Sequence, residues 1–182
     1  MDRNIKYFFQ KINRNIKTHK SKKITLYVLV FTLLFILLGI IISLLSLRYE
    51  FGFFVTNSIL NKQVVLIDKQ AKLESLTNKI VYFDFPFDSP YFKKGTNFAK
   101  IVKCEAGDTL INKDKKFYCN DLFIAKALNT DSKGIPVKDF QFSGVIPQDK
   151  YFVIGENVNS YDSRYWGFLD KKNIKGISVW SY

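Results

Sequence analysis

The longest apolar stretch in the chain runs from Ile24 to Leu47, 24 residues without one charged side chain. At about 1.5 Å of rise per residue, a helix of that length reaches about 36 Å, more than the roughly 30 Å of a bilayer's hydrocarbon core. The pattern predicts one membrane-spanning helix. The alternative is a cleaved secretory leader, whose apolar region is usually about 7 to 15 residues and ends at a small-x-small site. Here the run continues into Leu47, Arg48 and Tyr49, which favours an uncleaved anchor.

Beyond the anchor the pattern shortens. Gln63 to Asp68, Lys79 to Asp84, Phe98 to Cys104, Lys116 to Cys119, Tyr151 to Ile154 and Ile174 to Ser181 are rich in β-branched and aromatic residues. They are separated by Gly95, Gly107, Gly134-Ile135-Pro136, Gly144, Pro147, Gly155 and Gly167, which punctuate short strands. None has the length and 3.6-residue period of an amphipathic helix. A mainly β, indeed all-β, domain is predicted after the single transmembrane helix. Asp114 to Lys116, between Leu110-Ile111 and Phe117-Tyr118, predicts a hairpin turn. The polar segment Ala125 to Lys138 predicts a surface excursion.

Charge then orients the chain. Arg3, Lys6, Lys11, Arg14, Lys17, Lys20, Lys22 and Lys23 precede the apolar run, against the single acid Asp2, and such a flank stays on the cytoplasmic side. The expected organisation is a basic cytoplasmic tail over 1–23, an anchor over 24–47 and an extracytoplasmic β-rich domain over 48–182. The formal charge of +12 does not imply nucleic acid as a partner, because the remaining lysines are scattered without a nucleic-acid-binding frame. Lys93, Lys94, Lys115, Lys116, Lys171 and Lys172 suit a face near anionic lipid instead.

The only histidine, His19, lies before the anchor, so the outer part has no Ser-His-Asp triad and no Cys-His pair. A nucleophile there needs another base, and a lysine serves when burial lowers its pKa. Strand alternation puts Lys100 on the face of Phe98 and Val102; a buried amine and a plain edge lysine both remain open on these residues alone. Ser58 stands in Thr56-Asn57-Ser58-Ile59-Leu60, shortly after the anchor, where the alternative is an ordinary turn. Gly155 to Gly167 gathers small, acidic, basic and aromatic groups. Within it Asp162 and Arg164 can pair to brace a loop, and Ser160 or Ser163 can offer a hydroxyl to a lysine. Cys104 and Cys119 flank the predicted hairpin in an oxidising compartment and read either as a disulfide or as two buried thiols. With one distant histidine they cannot complete a closed zinc site.

Three blocks over Thr56 to Tyr182 resemble the type I signal peptidases, a family of Ser-Lys proteases. Ser160-Tyr161-Asp162-Ser163-Arg164-Tyr165-Trp166-Gly167 is similar to that family's S-x-D-S-R-x-x-G box, and Ile174 to Tyr182 to the strand that follows it. Lys100 to Asp108 resembles the lysine box, with Gly107-Asp108 seven residues on. In the first block Ser58-Ile59-Leu60-Asn61 stands where S-M-x-P is usual. The shorter S-x-P-x-G form of the conjugative-transfer (TraF-type) pilin peptidases is similar, with Leu60 and Lys62 at its proline and glycine. The resemblance implies a serine endopeptidase with Ser58 as nucleophile and Lys100 as general base; the alternatives are a specialised peptidase that matures a conjugative pilin or another secretion-system subunit, and an inactive membrane-tethered scaffold domain with the same fold. Ser160 would sit near the lysine amine, Asp162 and Arg164 would support it, and the Ser58 backbone N–H together with the Thr56 hydroxyl or a nearby amide would bind the oxyanion. It also implies a signal-peptidase-like fold, no cofactor, a bacterial inner (cytoplasmic) membrane location, and signal-peptide-bearing or pilin precursors as substrates. Phe53-Phe54-Val55 and Val81 to Phe87 are the expected substrate lining.

Overall fold

The computed structural model describes residues 3–53, 59 and 63–182. The chain forms two compact units, 1–47 and 48–182. The first consists of the long helix α1, Arg3–Arg48. Its stretch Lys22–Arg48 is long and apolar enough to cross a membrane.

The second unit is built from strands β1 (Tyr49–Phe53), β2 (Val64–Asp68), β3 (Ile80–Asp84), β4 (Asn97–Glu105), β5 (Thr109–Lys113) and β6 (Lys116–Cys119). After these come β7 (Leu122–Lys126), β8 (Ser143–Val145), β9 (Lys150–Ile154), a one-turn helix α2 (Ser163–Trp166), β10 (Leu169–Asp170) and β11 (Ile174–Ser181). A seven-stranded sheet has the order β1-β2-β11-β3-β4-β9-β10, and a four-stranded sheet the order β7-β6-β5-β8. Neighbours pair antiparallel throughout. The last strand, β11, inserts between β2 and β3.

Two cores result. Leu76, Val81, Phe83, Phe85, Phe98, Val102, Tyr151, Val153, Leu169 and Ile177 fill the first. Cys104, Leu110, Phe117, Cys119, Ala125, Ala127, Ile146, Phe152 and Ile154 fill the second. β9 serves both, because alternate side chains leave opposite faces of a strand: Tyr151 and Val153 enter one core, Phe152 and Ile154 the other. β4 does the same by another device. Its register against β9 shifts between Val102 and Cys104, and such a bulge re-aims the side chains beyond it.

The predicted hairpin forms between β5 and β6, with Asp114 and Lys115 both at positive φ (51° and 65°). Asn120 and Asp121 repeat that turn (46° and 65°) between β6 and β7. Two residues at positive φ match the right-handed twist of the flanking strands. Cys104 and Cys119 form a disulfide that ties β4 of the large sheet to β6 of the small one. The surface excursion expected over 125–138 is corrected at its start. Ala125 and Ala127 are buried in the second core: β7 pairs Ala125 with Phe117 of β6, and just past its end the Ala127 N–H donates to the Lys115 carbonyl.

Candidate active site

β4 delivers Lys100 opposite Val81 of β3. The side chain is 4% exposed, and its Nζ lies 5.2 Å from the centroid of the Phe98 ring. Burial disfavours an ammonium, and the nearby Arg164 charge adds to that, while Asp162 opposes it. The net result lowers the Lys100 pKa from 10.5 to about 8. Its Nζ donates to Ser160 Oγ at 2.7 Å.

Ser160 is placed by the loop that leaves β9 and closes on α2. The Asp162 carboxylate caps that helix, accepting from the Arg164 backbone N–H at 3.2 Å and from the Gly155 N–H at 2.8 Å. Arg164 forms a two-pronged pair with it, through Nε and Nη2, both at 2.7 Å. Two fully desolvated charges are costly to bury unless each is paired and hydrogen-bonded. Arg164 meets that condition by also donating to the carbonyls of Lys126, Val158, Asn157 and Ser160. One guanidinium thereby fixes the loop's backbone from Asn157 to Ser160 itself and ties it to Lys126.

The hydroxyl of Ser163 accepts from the Val153 N–H at 2.9 Å, so of the two serines it is Ser160 that meets the lysine. Tyr165, which the sequence reading did not single out, accepts from the Leu128 N–H through its hydroxyl at 3.1 Å. Gly167, at φ 85°, closes the segment, and a Cβ there would stand 2.9 Å from Phe140. No ordinary side chain suits both conditions.

Lys100 and Ser160 line an open cleft of about 930 Å³. Phe53, Tyr82, Phe98, Asn157, Tyr161 and Tyr165 are among its other walls. The expected lining is corrected in part. Val81, Phe83 and Phe85 are fully buried in the first core, because alternation turns them to the opposite face from Tyr82. Of Phe53-Phe54-Val55, Phe53 lines the cleft, and the other two lie outside the described residues. Ser58 and Thr56 also lie outside them, whereas their neighbour Ile59 is buried. Asp108 clusters with Cys104 and Cys119, but the two sulfurs are bonded to each other and leave no thiolate for a metal.

The sequence model described as "Signal peptidase, peptidase S26" matches residues 23–182. The chain belongs to this signal peptidase family. Signal peptidase I V of Bacillus subtilis (strain 168) is 37% identical over 105 residues, covering 50% of this chain and 62% of that protein. Signal peptidase I of Buchnera aphidicola subsp. Baizongia pistaciae (strain Bp) is 41% identical over 68 residues, 34% of this chain and 22% of that protein. The chain thus spans less than two thirds of the length of these curated relatives. A crystal structure of a signal peptidase I from Enterococcus faecalis V583 aligns at 23% identity and a TM-score of 0.40, over 59% of this chain and 98% of that one. In this signal peptidase family member, the structure brings together Lys100, Ser160, Asp162 and Arg164, of which Lys100 and Ser160 line the cleft.

Proposed function

We propose that this chain is a membrane-anchored serine endopeptidase that removes signal peptides from exported precursors, using Ser58 and Lys100 as its catalytic dyad. The observation that carries this reading is the Lys100 amine. It is buried, lowered to about 8, held at 2.7 Å by Ser160 and set in the wall of an open cleft, in a chain of the signal peptidase family. With a pKa of about 8, roughly a tenth to a fifth of the molecules hold the neutral amine near physiological pH, on the order of a hundredfold more than for an ordinary lysine.

In the reaction, neutral Lys100 accepts the Ser58 hydroxyl proton as Ser58 Oγ attacks the scissile carbonyl carbon. The developing oxyanion takes hydrogen bonds from the Ser58 backbone N–H and the Thr56 hydroxyl; losing one such donor costs about 3 to 4 kcal/mol. The lysine ammonium then protonates the leaving amine, and a water deprotonated by the same amine hydrolyses the acyl-enzyme. Ser160 keeps the amine aimed, and the Asp162–Arg164 pair keeps Ser160 in place. The substrate is an extended peptide with small residues before the cut, laid beside β1, the edge strand whose Glu50 to Phe53 line the cleft. The basic residues over 1–23 stay on the cytoplasmic side of a bacterial inner membrane, 24–47 spans it, and 48–182 lies outside.

Maturation of a conjugative pilin is a second reading, favoured by the 182-residue length, the one apolar span among the described residues and the Ser58-x-Leu60-x-Lys62 spacing. The deciding experiment incubates detergent-solubilised full-length protein with a panel of signal-peptide-bearing and pilin precursors, beside Ser58→Ala and Lys100→Ala. Cleavage after small residues that both substitutions abolish supports the dyad, and the preferred precursor separates the two substrates. Undiminished cleavage by either variant rules the dyad out.

A further inference from the structure

The first unit carries a pattern that the proposed reaction does not use. Within α1, positions 5, 8, 9, 12 and 16 are apolar: Ile5, Phe8, Phe9, Ile12 and Ile16. At about 100° per residue, these positions fall within an arc of about 100° on the helix. Arg3, Lys6, Lys11, Arg14 and Lys17 all fall outside that arc, and no acidic residue occurs between Asp2 and Glu50. Ile5, Phe8 and Phe9 are exposed. Of the other ten positions over 3–17, five are basic, four are Asn or Gln, and Tyr7 stands on the opposite side; an apolar face with a polar, positively charged remainder suits a surface that is apolar beneath and anionic above.

We propose that Arg3–Lys17 is an interfacial helix that binds anionic lipid headgroups and lies along the inner leaflet next to the span. Two observations select lipid as the occupant. The charge is one-signed, complementary to an anionic leaflet, and unrelieved by any acid on the segment. The segment is also continuous in sequence with Lys22–Arg48, the stretch apolar enough to cross the bilayer, so its lipid is already within reach. The polar run Thr18 to Ser21 joins the two; α1 runs through it without a break, and on this proposal it bends there when the first part lies along the leaflet surface. The inference rests on the proposed topology, with that span in a membrane.

The test is a spin-label depth scan of the full chain reconstituted in vesicles of phosphatidylcholine mixed with phosphatidylglycerol, and of phosphatidylcholine alone. Single cysteines are introduced in turn at positions 5–17; the native pair is in a disulfide and does not take the label. In the anionic vesicles, label depth should oscillate with a period of about 3.6 residues, deepest at 5, 8, 9, 12 and 16. The oscillation should be lost in phosphatidylcholine alone. A flat, water-exposed profile in anionic vesicles overturns the proposal, and so does an equal oscillation in both lipids. Leu37→Cys, in the middle of the span, keeps the two readings apart. If it reports hydrocarbon while 5–17 stay flat, the interfacial helix is wrong and the span stands. If it reports water, the span fails and the inference fails with it.

Discussion

Lys100 carries the sharpest consequences at the residue scale, because the same burial that would equip it for the proposed role of base weakens the fold. With its pKa lowered from 10.5 to about 8, the folded state releases the lysine proton at lower pH than the unfolded chain does. Below pH 8 both states hold the proton and the cost of burying the ammonium is fully present. Between pH 8 and 10.5 the unfolded state binds more protons than the folded one, so stability rises with pH and the cost disappears. Each pK unit corresponds to about 1.4 kcal/mol, so Lys100→Met is expected to stabilise the protein by up to about 3 kcal/mol at pH 7. That gain should shrink towards zero near pH 10.5, as measured by urea midpoints at the two pH values. On the proposed mechanism the same group sets the activity profile of the wild type. Its kcat/KM should fall about tenfold per unit below pH 8 and level off above it. A profile still climbing at pH 10 would mean that the base is not a buried lysine.

At the element scale, the disulfide joins the two sheets through strands with separate duties. Cys104 lies at the far end of β4 from Lys100, past the register shift at Val102, and belongs to the second core, whereas Phe98 and Val102 beside Lys100 belong to the first. A cross-link over 15 residues is worth about 3 kcal/mol on a chain-entropy account. The Cys104→Ser/Cys119→Ser variant should therefore lose about that much stability in urea while keeping the pH midpoint of cleavage unchanged; a shifted midpoint would show that the two cores are coupled. This division also marks how far the sequence could be read. The ends of β6 and β11 were legible because period-two runs bounded by turn residues leave few alternatives. β8 and β10, three and two residues long, are too short to leave a period, and α2 is a single turn hidden inside the Ser160 to Gly167 box. Lys100's face followed from alternation alone. That Ser160 rather than Ser163 meets it did not, since the choice depends on the Asp162 cap and on Val153 claiming the Ser163 hydroxyl. Phe83 and Phe85 misled for a related reason: an aromatic run looks the same from sequence whether it faces a cleft or a core.

For the whole molecule, the distribution of charge decides on which side of a membrane the cleft would open. Before the apolar helix stand eight basic residues and one acid, whereas the segment just after it, Arg48-Tyr49-Glu50, is close to balanced. Positive charge near a span's end resists translocation, and residues within about 15 to 20 positions of that end count most. Lys11, Arg14, Lys17, Lys20, Lys22 and Lys23 all fall in that window. Trypsin added outside intact spheroplasts should therefore digest the β-rich unit and leave an epitope placed at the N-terminus protected until the membrane is opened. Replacing these six residues with Gln should create a second population with the epitope cleaved from outside, and precursor cleavage should drop in proportion to it, because an inverted molecule holds Lys100 on the side where no translocated substrate arrives. If the epitope is accessible in the unaltered chain, the orientation is reversed and the cleft faces the cytoplasm. Exported precursors would then not meet it, however well the lysine is poised.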